Sequence, residues 1–175
     1  MWRKSLGDIR DSMFAKKLLF FLQGTQEISI AEKVKFVVEF GEKNQDNGYA
    51  ALLSIIDRLD NANKINIMVA LMKARIYGHI SIEDFIRTAF ALERIPYPDI
   101  SELEHYTEDY YKSGSSDILY SAGVVKTSAI GDGPTKYRLN PIGCILMKYG
   151  LGQEVENADE EEVRLLLPWE HINNG

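Results

Sequence analysis

One cysteine, Cys144, stands in a chain of 175 residues, so no internal disulfide can form and a reducing compartment suits the protein. Cys144 lies among Ile142, Ile145 and Leu146 and reads as a small core residue, a poor setting for a nucleophile. Long hydrophobic runs are missing too. The longest nearly uninterrupted one, Leu18 to Leu22, falls far short of the roughly 20 residues that a bilayer demands. Met1-Trp2-Arg3-Lys4 leads into charges and not into an apolar leader, so the expected location is cytoplasmic. An excess of positive charge is also absent. The net charge is −6, yet residues 1–150 carry 19 groups of each sign and balance to zero. The whole excess sits in residues 151–175, where Arg164 stands alone against seven carboxylates. A neutral body is a weak platform for non-specific phosphate binding, which depends on lysine and arginine.

Catalytic signatures are equally scarce. No G-x-S-x-G, Walker loop, G-x-G-x-x-G or H-E-x-x-H occurs. Gly131-Asp132-Gly133 lies within a hairpin signal and lacks the strand–loop–helix setting of a phosphate cradle. Of three histidines, His79 follows Gly78 in a turn and His171 lies in the acidic tail. His105 has the only suggestive neighbours, because Glu102 and either Glu108 or Asp109 would share its helix face. A di-metal bundle needs a second Glu-x-x-His, and none is present, so a solvated acidic face is the expected reading. No catalytic residue, cofactor or metal is therefore assigned.

At 45% hydrophobic residues the chain can bury a real core. Apolar residues at helical spacing predict a first helix over about Ser5–Gln23. Ser29 with Glu32 forms a capping-box signature for a second, whose expected inner face is Val34, Val37, Val38 and Phe40. A third helix is predicted over Tyr49–Leu59, with Leu52, Leu53, Ile55, Ile56 and Leu59 inward. A fourth runs over Asn63–Tyr77 with Ile67, Met68, Leu71, Met72 and Ile76 inward, and a fifth over Ser81–Ile95. Pro96 and Pro98 end that series. Beyond them a helix is expected over Asp99–Lys112, then a short one over Asp117–Ala122 and a strand at Val124–Thr127. A loop at Ile130–Thr135, a return strand at Lys136–Leu139 and a last helix over Pro141–Tyr149 follow. Asn140 before Pro141 is the start signal of that last helix. The expected fold is mainly α, a helical N-terminal bundle (1–98) plus a unit with a two-stranded β-hairpin (99–150), followed by an acidic tail (151–175).

LYSAGVV (119–125) and YRLNPIG (137–143) resemble two joins of winged-helix domains, the end of the helix-turn-helix and the exit from the wing. The stretch from Leu52 to Arg87 is similar to small helical bacterial proteins of unknown function, which implies a bacterial or mobile-element origin and no activity. If the resemblance extends to DNA, the recognition element is Ser115 to Ala122. It offers no Arg, Lys, Asn or Gln to read base edges and carries one carboxylate. Phosphate contacts would then fall to Lys126, Lys136 and Arg138. The favoured expectation is a non-catalytic protein-interaction or regulatory module with a protein partner. The alternative is a winged-helix DNA-binding transcription regulator. Residues 1–22 are basic and amphipathic enough for peripheral membrane contact, but docking on the bundle with solvated lysines is preferred. In the tail, Val163, Leu165, Leu166, Leu167 and Trp169 are apolar enough to cover the body or meet a partner.

Overall fold

The chain is mainly α-helical, with one two-stranded antiparallel hairpin among the described residues. The computed structural model describes residues 2–45, 47–107, 111–127 and 135–155, with side chains from residue 11 onward. Its first helix, α1, spans Trp2–Gly24, and α2 spans Ile30–Asn44. The predicted capping box starts α2: the Glu32 N–H donates to Ser29 Oγ, and the Ser29 N–H donates to the Glu32 carboxylate at 2.9 Å. Asn47 caps α3 (Gly48–Arg58) by accepting from the N–H groups of Tyr49 and Ala50. α4 (Asn63–Ile76) follows, and Ser81 with Asp84 builds a second capping box for α5 (Ile82–Arg94). No helix among the described residues is long and apolar enough to cross a membrane.

Past the prolines the chain departs from the expected α-helix over 99–112. Tyr97–Tyr106 is a 3₁₀ helix, and Tyr111 is extended, exchanging backbone bonds of 2.7 Å with Tyr137. The cause is long-range. Tyr106 is fully buried, and its hydroxyl is 2.8 Å from both Ser113 Oγ and Ser116 Oγ. Asp99, expected to cap a helix, instead accepts from the Ser115 hydroxyl. These anchors fix both ends of the segment and draw Tyr111 to the sheet. α6 (Ser116–Ala122) then leads into β1 (Val125–Thr127), which pairs with β2 (Tyr137–Leu139) in the register Val125–Leu139, Lys126–Arg138, Thr127–Tyr137. Most of the predicted hairpin loop lies outside the described residues. Asn140 caps α7 (Pro141–Ile145), as its position before proline predicts, and donates to Gly123 O from its side chain. The last helix is shorter than expected as an α-helix because Leu146–Gly150 widens into a π turn closed by Leu151 N–H to Leu146 O.

One apolar cluster runs from Ile28 to Met147, so the hairpin unit and the bundle share a core. Its aromatic centre is Phe36, Phe40 and Phe85, with Phe85 edge-on to Phe36 at 4.9 Å and to Phe40 at 5.8 Å. Close backbone approach sets two joints. A Cβ on Gly48 would stand 2.0 Å from Val37 O, and one on Gly143 would stand 2.1 Å from Val124 O. Any larger residue would push α3 off α2, or α7 off β1.

Two buried lysines tie elements together where the sequence offers no hint. Lys17, expected to reach solvent, is buried and donates from Nζ to Asp57 O at 2.6 Å, in the last turn of α3. Lys64 is fully buried; its Nζ donates to Ile95 O, at the end of α5, and pairs with the half-exposed Asp60 at 2.5 Å. Each cation sits at the negative end of a helix. Asp60 also accepts from the Tyr97 N–H at 3.0 Å.

Burial works to raise the Asp60 carboxyl, but the bonds from Lys64 and the Tyr97 N–H together hold it below its ordinary 3.8. The folded chain therefore binds this proton less readily than the unfolded chain. Its contribution is complete near neutral pH and is lost as the pH falls from the ordinary value through the folded one. Lys64→Ala is expected to cost about 3 kcal/mol or more in chemical denaturation, because it leaves a cavity and an unpaired Ile95 carbonyl. For Asp60→Asn, the stability deficit against wild type should narrow between about pH 7 and about pH 3; an equal deficit at both would rule out this linkage.

Candidate interaction surfaces

α2 buries Phe36, Val37, Phe40 and Gly41. Val34 and Val38, expected inside, are instead exposed, and so is Ile30, at 80%. The periodicity allowed either choice, since all these positions are apolar. The larger Phe36 won the inner place because its ring meets Phe85. Ile30, Val34 and Val38 recur at every fourth residue and line one stripe beside the buried face. α3 repeats the pattern. Leu52, Ile55 and Ile56 are buried with Leu59, while Leu53, expected inside, is exposed with Tyr49 one turn earlier. The two stripes meet: Val38 and Tyr49 line one shallow groove of about 540 Å³ whose floor is Gly41 and Gly48, with Glu42 on its rim. Scattered exposed apolar residues are ordinary, whereas apolar residues that share a groove between two helices form a candidate interaction face.

The hairpin is the second surface. Lys126 and Arg138 occupy directly opposed positions, while Val125, Tyr137 and Leu139 face the core. Lys136 is exposed just before β2. The structure thus gathers the three predicted cations on one hairpin.

α6 is spent on internal contacts. Ser116, expected on an outward face, is buried against Tyr106 and accepts from the Ser113 N–H. Asp117 accepts from the Tyr137 hydroxyl at 2.8 Å, and that bond, with burial, pushes the Tyr137 phenol above its ordinary 10.0. α6 shows Asp117, Ile118, Tyr120 and Ser121 to solvent. The pairing of Asp117 with Tyr137 has no local sequence signal, since 20 residues separate the two.

The remaining candidates are dispersed. His105 is exposed and leans on the Tyr111 ring at 5.3 Å, while Glu108 and Asp109 lie outside the described residues. No group of three or more His, Cys, Asp or Glu that could hold a metal occurs among the described residues. His79 is exposed and stacks on Tyr149. Cys144 is half-buried against the core. In α1, Phe14, Phe20 and Phe21 pack on the core, while the side chains of residues 1–10 lie outside the described set. His171 and the apolar tail residues also lie outside it. Comparison with known protein families, with curated proteins and with solved structures finds no match for this chain.

The seam and the core make opposite demands on folding. Val34→Lys with Val38→Lys should leave stability within about 0.5 kcal/mol for each exposed change. Phe36→Ala, two residues away, should cost about 3–5 kcal/mol. A denaturant midpoint for the double lysine variant as low as that of Phe36→Ala would show that the seam belongs to the core.

Proposed function

We propose that this protein is a non-catalytic interaction module of the kind used in bacterial regulation, and that it takes a partner's amphipathic helix on the α2–α3 seam. The observation that carries this reading is the set of exposed apolar residues Ile30, Val34, Val38, Tyr49 and Leu53 on α2 and α3, of which Val38 and Tyr49 share one groove. Lys35 and Glu42 flank the stripe with opposite charges, one turn to either side of Val38. A helix laid along the seam would bury its own apolar residues at one-turn spacing and meet a charge of each sign at the rim. The partner is then read by its apolar periodicity, with the rim charges fixing its direction.

Affinity capture from the native host, with mass spectrometry of what co-purifies, tests this directly. A protein retained by wild type and lost with Val34→Lys/Val38→Lys, at unchanged stability, is the expected result. Retention of the same protein by that variant would move the interaction elsewhere. A specific turnover by purified protein that disappears with His105→Ala would replace the module with an enzyme.

The second reading is a winged-helix regulator that binds DNA, and the placement of Lys126, Lys136 and Arg138 on one hairpin favours it. Against it stands α6, whose Ser116 is buried against Tyr106, and whose exposed residues Asp117, Ile118, Tyr120 and Ser121 include a carboxylate held by the Tyr137 hydroxyl and no cation. Such a regulator would depend on the hairpin for phosphate contacts. Lys136→Ala with Arg138→Ala would then lower the salt slope of log K by nearly two, at about 0.9 per contact. Gel-shift titration should show only weak, non-saturating association. A band below about 100 nM that survives competitor DNA would establish the regulator instead.

A further inference from the structure

A groove of about 450 Å³ lies between the start of α4, the 3₁₀ helix and the chain leaving α7. Ile67, Tyr97, Pro98, Ile100 and Leu151 give it apolar walls. Asn63, Ser101, Glu104 and Gln153 form a polar lip, and Glu104 is the only carboxylate among the described residues that line it. A small-molecule site usually adds several convergent polar groups, so the lining suits apolar side chains better. The position of the groove is telling. Leu151 and Gln153 belong to the last described segment, and Val155 packs against the core. The groove therefore opens beside the last described residues of the chain.

We propose that this groove is the docking site, in cis, for Val163 to Trp169 of the same chain. Three observations converge. First, this segment holds the apolar residues of the tail, Val163, Leu165, Leu166, Leu167 and Trp169, and the volume admits an aromatic and an aliphatic side chain. Second, from Val155 to Val163 an extended chain reaches up to roughly 27 Å, ample for a return to a groove lined by residues 151 and 153. Third, Arg164 is the only lysine or arginine of the tail, and Glu104 is the only carboxylate among the described residues of the groove. The acidic residues 159–162 remain in the connecting stretch, in water. A contact this small would be weak between separate molecules. A short tether places the segment at an effective concentration in the millimolar range, at which weak docking is enough. Docking in cis would also keep an apolar run away from other chains without using the α2–α3 seam.

Trp169 reports on this directly, because Trp2 is the only other tryptophan. In full-length protein carrying Trp2→Phe, acrylamide quenching of Trp169 should be several-fold weaker than in a synthetic peptide of residues 156–175. The protection should not change on dilution. Leu165→Asp with Leu167→Asp should restore peptide-like quenching. Ser101 and Gln153 are exposed on the lip, so Ser101→Phe and Gln153→Phe fill the groove without entering the core, and each should restore it as well. Peptide-like quenching in the starting protein would overturn the proposal. So would protection that vanishes on dilution, which means a second copy, or protection that survives a groove-filling variant that folds normally by circular dichroism.

Discussion

The Lys64 ammonium holds together the region where the helical bundle passes into the hairpin unit. A fully buried cation is costly unless its donors are satisfied, and here they reach Ile95 O and the Asp60 carboxylate. Ile95 closes α5 just before the two prolines, and Asp60 also receives the Tyr97 N–H. One side chain of α4 thus fixes the end of α5, the α3–α4 connection and the start of the 3₁₀ helix. Asn63 adds a bond of 2.9 Å to the Tyr97 hydroxyl on the same joint. The prolines stop the helix, but the lysine decides the direction in which the chain continues. Lys17 plays the matching part at the end of α3, where it receives α1.

Downstream of that joint, polar anchors again set the geometry. Tyr106 binds Ser113 and Ser116, Ser115 binds Asp99, and Tyr137 binds Asp117. These bonds connect the 3₁₀ helix, α6 and the hairpin into one unit whose polar groups face inward. The consequence for function is direct. Ser116 and Asp117 take part in holding the unit together, and the exposed side chains of α6 are Asp117, Ile118, Tyr120 and Ser121, with no cation among them. The bundle shows the complementary pattern, in which Phe36 takes the core and leaves Val34 and Val38 outside. Both ends of the molecule expose apolar side chains, and this favours a protein partner in the proposed reading.

Helix starts and stops were legible from residues alone. Ser29 with Glu32, Ser81 with Asp84, and Asn140 before Pro141 all act within a few residues, so their geometry follows from local chemistry. The mainly α fold with a hairpin followed from the same signals. The candidate site was less legible. The three hairpin cations could be placed on neighbouring strands from their spacing, but their cross-strand register depends on which hydrogen bonds form between residues far apart. The α2–α3 seam could not be found at all, because apolar periodicity marks a helix face without saying which part of a wide face will be covered.

Local sequence therefore determined where most helices begin and end and that a hairpin follows them. Tertiary structure alone decided three things: that Tyr97–Tyr106 is a 3₁₀ helix and Tyr111 a strand bridge, that Lys17 and Lys64 lie inside, and that Val34, Val38 and Leu53 lie outside. The physical reason is shared. A cap is satisfied by neighbours three residues away, whereas Tyr106 and Phe36 take their places from partners 7 to 49 residues distant, and Lys64 needs Ile95 O, 31 residues on, besides its neighbour Asp60; these partners come together only once the chain has folded.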